Sequence, residues 1–435
     1  MSWLHANGDR GVWPATLYAD RTALPDPFPA LRNRRSCDLV VIGAGLTGLS
    51  AALRAARAGL SVIVVEAQRV GWGASGRNGG QLGSGFNWSQ RKLEVKLGAP
   101  TARALWDLAE EAKADARSFM DGASYGPGVI SACLKPSDVR SAIAENDWMS
   151  RHYGTQGEVL DATAMAQITG SRAYAGGVLD PTAGRCDPLA YTLNLMRACL
   201  AEGVEIFERS EVHRLTGTTV ATAHGAVTAR AVVQATNGYS PWLTDRTAAR
   251  VLPINNYIAV TAPLADPPFR SGRGQPAVAD SRFVVNYFWQ TDDGRLIFGG
   301  GESYGKRFPA DIRAKVRANL ARVYPALAQV ELTHAWGGTL AVTATRLPYV
   351  AEVAPGVFSA GGYSGHGLAL AGLFGKLCAE AVLGERSRFD LLRALPVPGL
   401  PGGRVFGAWL AQAGMVFGAV RDRMLGARLH APYDT

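Results

Sequence analysis

The chain has 435 residues, 47% of them hydrophobic and 19% charged, a composition that excludes a disordered or fibrous protein and suggests about three domains at roughly 150 residues each. The net charge is +9, but it comes mostly from dispersed arginines, and no lysine- or arginine-rich run or aromatic–basic interleaving marks a nucleic-acid surface. Cys37, Cys133, Cys186, Cys199 and Cys378 form no C-x-x-C pair and the histidines are scattered, which speaks against a metal site or a disulfide framework.

Residues 1–35 have little periodicity and read as an irregular arm. The N-terminus lacks the apolar core of a signal peptide, so a cytoplasmic protein is expected. Cys37–Ile42 then reads as a short buried parallel strand, an Ala/Leu-rich helix runs to about Ala58, and Ser61–Val65 is a second strand ending at Glu66. Residues 96–150 read as helix-rich, most clearly over Thr101–Phe119. A second α/β block opens with a helix from Pro188 to about Gly203, continues with a strand at Val204–Phe207 and two strands around His224-Gly225, and closes at Gly238. Residues 251–304 are strand-rich (Tyr257–Thr261, Phe283–Thr291, Leu296–Phe298), with a turn at Asp292-Asp-Gly294. Ile312–Tyr324 is a helix. A last strand, Val357–Ala360, meets a Gly-rich turn and a helix from about Leu368 to Val382. The apolar stretch Val405–Val420 is shorter than the roughly 20 residues a membrane span needs, so it reads as a C-terminal helix packed on the body, without stable membrane insertion.

Gly43-Ala-Gly-Leu-Thr-Gly48 sits between a strand and a helix, the context a dinucleotide fingerprint requires. Gly43 permits the tight turn, Gly45 lets backbone N–H groups approach a pyrophosphate, and Gly48 allows close helix packing. The helix start turns its partial positive charge on the phosphates. Glu66, about 20 residues on, ends the second strand, where a carboxylate can accept both ribose hydroxyls and would repel a 2′-phosphate. The fingerprint alone leaves NAD and FAD open. Two features favour FAD. One is the glycine-rich loop after Glu66 (Ala67, Gly73, Ala74, Ser75, Arg77, Asn78, Gly79, Gly80, Gln81), whose amides could border a flat ring. The other is Gly361-Gly362-Tyr363-Ser364-Gly365-His366-Gly367 before Leu368, a second glycine-lined helix start whose dipole would stabilise an anionic reduced flavin.

At these residues the chain resembles the FAD-dependent amine and amino-acid oxidases of the D-amino-acid-oxidase, glycine-oxidase and sarcosine-oxidase superfamily, and within it the gamma-glutamylputrescine oxidoreductase-like proteins. The matching segments are Val41–Ser50, Glu66–Gln81, Pro188–Val212, Asp293–Gly300, Trp336–Pro348 and Gly361–Leu368. The resemblance implies an α/β architecture: a Rossmann-like FAD-binding lobe (36–95, 155–250 and 336–388) interleaved with an α+β substrate lobe on an antiparallel sheet (96–154 and 251–335). An N-terminal arm (1–35) and a C-terminal extension with an apolar helix (389–435) flank them. It also implies that Leu46, Thr47, Gly362, Ser364, Gly365, Gly367 and Leu368 border the cofactor, that Val212 meets the adenine side, and that Ala235, Thr236 and Gly238 lie near the phosphates.

Glycine-oxidase-like relatives place a carboxylate-binding arginine where this chain has Leu340. No cysteine or histidine falls where covalent-flavin relatives attach the ring, so FAD is expected to be non-covalent. Oxidation of an amine needs a C–H aimed at the flavin and a dry cavity. The catalytic candidates are His366 and Tyr363 at the flavin-edge turn, Arg77 as counter-charge to reduced flavin, and Trp336. For His366 the alternative is a turn histidine satisfied by backbone, for Tyr363 it is plain packing, and for Arg77 it is holding the loop by backbone hydrogen bonds. Tyr257, Tyr287 and Trp289, with Trp336, are candidates for an aromatic amine cage, although core packing explains any one of them as well. Lys306 and Lys376 are the lysines to consider for oxygen activation. The expected function is an oxidase of a secondary amine of the gamma-glutamylputrescine type, with dioxygen as the second partner. The alternatives are an oxidase of a cyclic or N-alkyl amino acid, with Arg346 binding its carboxylate, a dehydrogenase passing electrons to a membrane carrier, and a non-enzymatic nucleotide-binding module.

Overall fold

The computed structural model describes residues 2–120, 125–239, 241–269 and 275–400. The expected C-terminal apolar helix lies outside the described residues. Two sheets organise the chain. The main path of the first, eight-stranded sheet runs Tyr349–Ala354, Val357–Gly361, Ala226–Gln234, Arg34–Ile42, Val62–Val65, Glu205–Phe207. From Val357–Gly361 onward these strands are mutually parallel. Period-two geometry sends their side chains to opposite faces. Leu39, Val41, Val62 and Val64 join the main core with the helices, while Val40, Ile42, Ile63 and Val65 pack with Leu31, Val220 and Val227 on the other side.

The helix Leu46–Arg57 follows the first strand and is rich in the good helix formers alanine, leucine and arginine. It ends where Gly59 turns left-handed and donates to the Ala56 carbonyl at 2.8 Å. It is flanked by the helices Pro188–Ala201 and Gly367–Val382. The contact with the latter is close: a Cβ at Gly375 would fall 1.9 Å from the Thr47 carbonyl oxygen.

The second sheet has nine strands. Its path runs Leu332–Val342, Leu252–Thr261, Leu296–Ser303, Tyr287–Gln290, Ala277–Asp280, Tyr125–Cys133, Gly176–Cys186, Gln81–Leu82, and Glu158–Asp161 pairs with Gly176–Cys186. It is antiparallel except that Ala277–Asp280 runs parallel to Tyr125–Cys133.

This differs from the sequence expectation in three places. Tyr125–Cys133 is a strand inside the stretch read as helix-rich. Glu158–Asp161 and Gly176–Cys186, grouped from sequence with the FAD-binding lobe, pair into the second sheet. Leu332–Val342 belongs to that sheet along its whole length, crossing the boundary drawn at 336. The first and third of these strands carry Pro127 and Pro181 and interior glycines, which weaken the local strand signal, so pairing across the sheet decides their conformation. Among the described residues no helix is long and apolar enough to cross a membrane.

The N-terminal arm is irregular but docked. It holds a 3-10 turn at Trp3–His5 and a short helix at Leu17–Arg21 capped by Thr16. Trp13 Nε1 donates to the Val70 carbonyl at 2.9 Å, and the Arg69 guanidinium lies 3.7 Å from the Trp13 ring centroid. Buried Arg69 and Glu208 pair at 2.7 Å behind the loop that follows Glu66.

Candidate active site

A cleft of about 990 Å³ lies between the two sheets, lined by residues of both and by the arm through Leu4. It receives most of the expected cofactor residues: Gly43, Gly45, Leu46, Thr47, Glu66, Ala67, Gly73, Ala74, Ser75, Arg77, Asn78, Gly79, Gln81, Val212, Ala235, Thr236, Ser364, Gly365, His366, Gly367 and Leu368. Tyr363, Tyr287 and Leu340 line it too.

Gly48, Gly80, Gly238 and Gly362 stand behind this lining. At Gly48 the reason is distance: a Cβ would fall 1.9 Å from the Gly43 carbonyl oxygen, so only glycine lets the helix start this close to its own turn. Trp336, Tyr257 and Trp289 are likewise behind the wall and form no cage. Trp336 is buried edge-on to Tyr18, and its Nε1 donates to the Arg77 carbonyl at 3.0 Å. Trp289 Nε1 donates to the Gly79 carbonyl at 2.8 Å. Tyr257 is fully buried in the second core and bonded to Ser303. The indole N–H groups of Trp336 and Trp289 instead hold the glycine-rich loop in place at Arg77 and Gly79.

At the end of the second strand, Glu66 accepts the Ala44 amide at 2.7 Å and the Gln68 amide at 2.8 Å. Desolvation pushes its carboxyl up to about 7, against the lowering effect of these amides. Ser75 Oγ accepts the Leu46 amide at 3.0 Å, tying the loop to the helix start, where Gly45 supplies no capping side chain. Asn78 folds the loop on itself, donating to the carbonyls of Ala74 and Ser75 and accepting the Gly80 amide. Gly79 faces the Tyr287 ring, which a Cβ would meet at 2.4 Å.

Arg77 is buried under the cleft. Its Nε donates to the Trp72 carbonyl at 2.6 Å and its Nη1 to the Gly337 carbonyl at 3.2 Å, with Asp9 Oδ2 at 3.4 Å. Nη2 is buried and has no hydrogen-bond partner among the described residues. Burial pulls the guanidinium below its ordinary range.

The second glycine-lined turn is fastened to both sheets. Ser364 is left-handed at φ 53°, and its amide donates to the Ala341 carbonyl at 2.8 Å. Tyr363 turns its hydroxyl to Thr47 Oγ1 at 2.7 Å and its ring edge-on to Phe374, so it joins the turn to the first helix. His366 occupies the N-cap position of the helix Gly367–Val382 without a side-chain cap bond, and its Nε2 lies 3.1 Å from the Ser84 carbonyl. Since a carbonyl only accepts, this nitrogen carries the proton. Desolvation lowers the His366 pKa, which favours a neutral ring.

Four polar residues of the substrate side escaped the candidates drawn from sequence or were left secondary there. Asn256 and Glu302 line the cleft from the second sheet, Tyr304 from just past the strand Leu296–Ser303, and Arg346 from the turn after Leu332–Val342. Tyr287 donates its hydroxyl to Asn256 Oδ1, and Tyr304 donates to Glu302 Oε2 at 2.9 Å. Glu302 was detectable only as a lone carboxylate ending an apolar strand. Lys376 is paired with Glu111 and Asp115 outside the cleft, and among the described residues no lysine lines it.

These residues fit a dinucleotide with a flat ring. Two helix starts whose own N-cap residues make no side-chain cap bond face one cleft, a carboxylate ends the second strand, and a buried guanidinium has an N–H without a partner among the described residues. A family model described as FAD dependent oxidoreductase matches residues 38–381. The chain belongs to that family. This FAD dependent oxidoreductase is 38% identical over 406 residues to "Probable oxidoreductase OrdL" of Rhizobium meliloti, covering 91% of this chain and 94% of that protein. It is 33% identical over 419 residues to gamma-glutamylputrescine oxidoreductase of Escherichia coli K12, covering 94% and 98%. In fold it is similar to glycine oxidase from Geobacillus kaustophilus, with a TM-score of 0.66 at 22% identity over 81% of this chain and 95% of that one.

Proposed function

We propose that this oxidoreductase oxidises the C–N bond of an amine that carries no carboxylate on the reacting carbon, as in gamma-glutamylputrescine, the compound named for one of its relatives. The observation that carries this reading is Leu340, an aliphatic side chain lining the cleft where carboxylate-binding relatives keep arginine. An α-carboxylate there would be desolvated without a charge partner, which is costly, whereas methylene groups gain apolar contact. Gamma-glutamylputrescine ends in a primary amine, so the absent α-carboxylate defines the substrate class better than N-substitution does.

Bound FAD supplies the hydride acceptor, and the oxidised substrate is an imine that water converts to an aldehyde and ammonia or an amine. Glu66 would hold the ribose, and the two helix starts the pyrophosphate and the ring edge. Arg77 would offset the charge the cofactor gains, through its unused Nη2. His366, neutral and bonded to Ser84, holds the loop at residues 83–85 against the turn. Dioxygen would be the second substrate, taking up two electrons and two protons to leave as hydrogen peroxide. Among the described residues no cysteine lines the cleft, and the His366 Nε2 is occupied, so FAD would be held non-covalently, and acid precipitation should leave it in the supernatant.

The test compares kcat/KM for gamma-glutamylputrescine and simple N-acylated diamines with that for glycine, sarcosine, proline and pipecolate. An α-amino or α-imino acid preferred by tenfold, about 1.4 kcal/mol, would reverse the reading. The second reading, oxidation of such an amino acid, has one observation in its favour: Arg346 lines the same cleft.

A further inference from the structure

The substrate side of the cleft holds two opposite charges that do not neutralise each other by contact. Glu302 is half-buried, and Tyr304 fixes one of its oxygens. Among the described residues no hydrogen bond engages the other. Arg346 stands at the exposed rim, its guanidinium 5.0 Å from the Phe283 ring centroid, and makes no ion pair among the described residues. Its backbone is left-handed, with φ 63°, an uncommon conformation for a residue other than glycine. The Arg346 amide closes that turn on the Thr343 carbonyl at 3.1 Å, and Asn87 Nδ2 donates to the Arg346 carbonyl at 3.0 Å, so the base of the side chain is fixed from both sides. The two charges are close enough for the guanidinium to act on the carboxyl electrostatically. That effect, with those of Tyr304 and Lys315, works against the desolvation that raises the Glu302 pKa. Lys315 lies behind the wall, its ammonium 5.3 Å from the ring centroid of buried Tyr257.

A lone carboxylate in such a cleft would suit the far ammonium of a plain diamine. A guanidinium beside it disfavours that ligand, because it repels the same cation. Together the two groups complement a head that carries an ammonium and a carboxylate on one carbon. We propose that Glu302 and Arg346 form a subsite for the α-amino-acid head at the far end of the amine substrate, Glu302 taking the ammonium and Arg346 the carboxylate. The inference rests on the amine-oxidation reading. It explains how a chain with Leu340 near the reacting carbon selects a substrate bearing a carboxylate elsewhere: the carboxylate is read at the rim, remote from the bond that is oxidised.

Three amides of putrescine separate the contributions: the γ-glutamyl amide has both charges on its head, the glutaryl amide lacks the ammonium, and the 4-aminobutyryl amide lacks the carboxylate. For the FAD-loaded enzyme, kcat/KM should be highest for the γ-glutamyl amide, by about 10- to 100-fold for each charge-assisted contact removed. The loss caused by Glu302→Gln should be at least tenfold larger on the γ-glutamyl than on the glutaryl amide. Arg346→Met should show the same excess on the γ-glutamyl over the 4-aminobutyryl amide. Both losses should fall mainly in KM, since the head is remote from chemistry. Equal losses on all three amides, or no preference among them by the unmutated enzyme, would overturn the subsite. Unreactive γ-glutamylbutylamide distinguishes this failure from failure of the amine reading. If it perturbs the flavin spectrum of the unmutated enzyme more strongly than that of either variant while no amine is oxidised, the subsite stands and the reaction is wrong. Oxidation of amines without selectivity for the head means the reverse.

Discussion

On one side of the cleft Gly43, Gly45, Ala67, Gly73, Gly365 and Gly367 present mostly main chain. On the other, Asn256, Tyr287, Glu302, Tyr304 and Arg346 present functional side chains. The first side is set by close approaches between backbones, which leave little room for substitution. The second hangs its polar groups on strands and a turn already fixed by sheet pairing, so those groups can change without moving the frame. A cofactor shared across a family suits the first construction, and a substrate that differs between members suits the second.

Replacements that treat the two sides alike should break this contrast. The largest effect is expected for Gly48→Val, because even a Cβ would strike the Gly43 carbonyl oxygen. A cost of at least about 3 kcal/mol should leave the protein poorly folded and colourless, and normal yields of yellow protein would refute the backbone argument. Next, Glu66→Ala removes one side chain from the main-chain side. It should weaken FAD binding about 10- to 100-fold in a fluorescence titration while far-ultraviolet circular dichroism stays unchanged.

A pH effect follows from the same carboxyl. Its folded pKa is raised to about 7 by burial, so the cofactor-free protein holds a proton there that the unfolded chain releases at lower pH. That contribution to stability is present below the unfolded value near 4.5 and is lost as pH rises through about 7. FAD should bind the ionised form, so its affinity should rise about tenfold between pH 6 and pH 8. Glu66→Gln should flatten the profile, and a retained slope would assign the proton to another group. The smallest effect is expected for Tyr257→Phe, which alters a ring behind the wall. Its kcat/KM should change by less than about twofold, in line with surface-remote substitutions that leave packing intact. A larger change in kcat/KM with unaltered thermal stability would put Tyr257 back in the site.

The main-chain side was legible in the sequence because glycine spacing is itself the signal. Gly43-x-Gly45-x-x-Gly48 between strand and helix, Glu66 at the strand end, and the turn before Leu368 were all readable. The other side was not. Glu302 and Tyr304 lie two residues apart, but Asn256 is far from both in sequence, and only the antiparallel register of Leu252–Thr261 with Leu296–Ser303, which pairs Asn256 with Glu302, brings them onto one wall. Aromatic residues misled for a related reason. Composition marks Trp336, Trp289 and Tyr257 as useful, but which way each ring faces depends on strand register. The strands carrying Pro127 and Pro181 were missed because proline and glycine obscure a conformation imposed by neighbouring strands.

The N-terminal arm has a consequence in time. Asn7 Nδ2 donates to the Lys306 carbonyl and Asn7 Oδ1 accepts the Phe308 amide, across sequence separations of 299 and 301 residues. Nearer the site, Trp72 Nε1 reaches the Asp9 carbonyl, and His5 meets Glu211 at 2.7 Å. A segment made about 300 residues ahead of its partners therefore cannot finish docking until they have followed. At roughly 5–20 residues per second that delay is on the order of 15–60 s. The early β-α-β unit would spend this interval with its flank unlatched, open to a dinucleotide from the surrounding pool. Stalled nascent chains that stop short of Lys306 should expose the arm to protease, and chains carried past residue 400 should protect it.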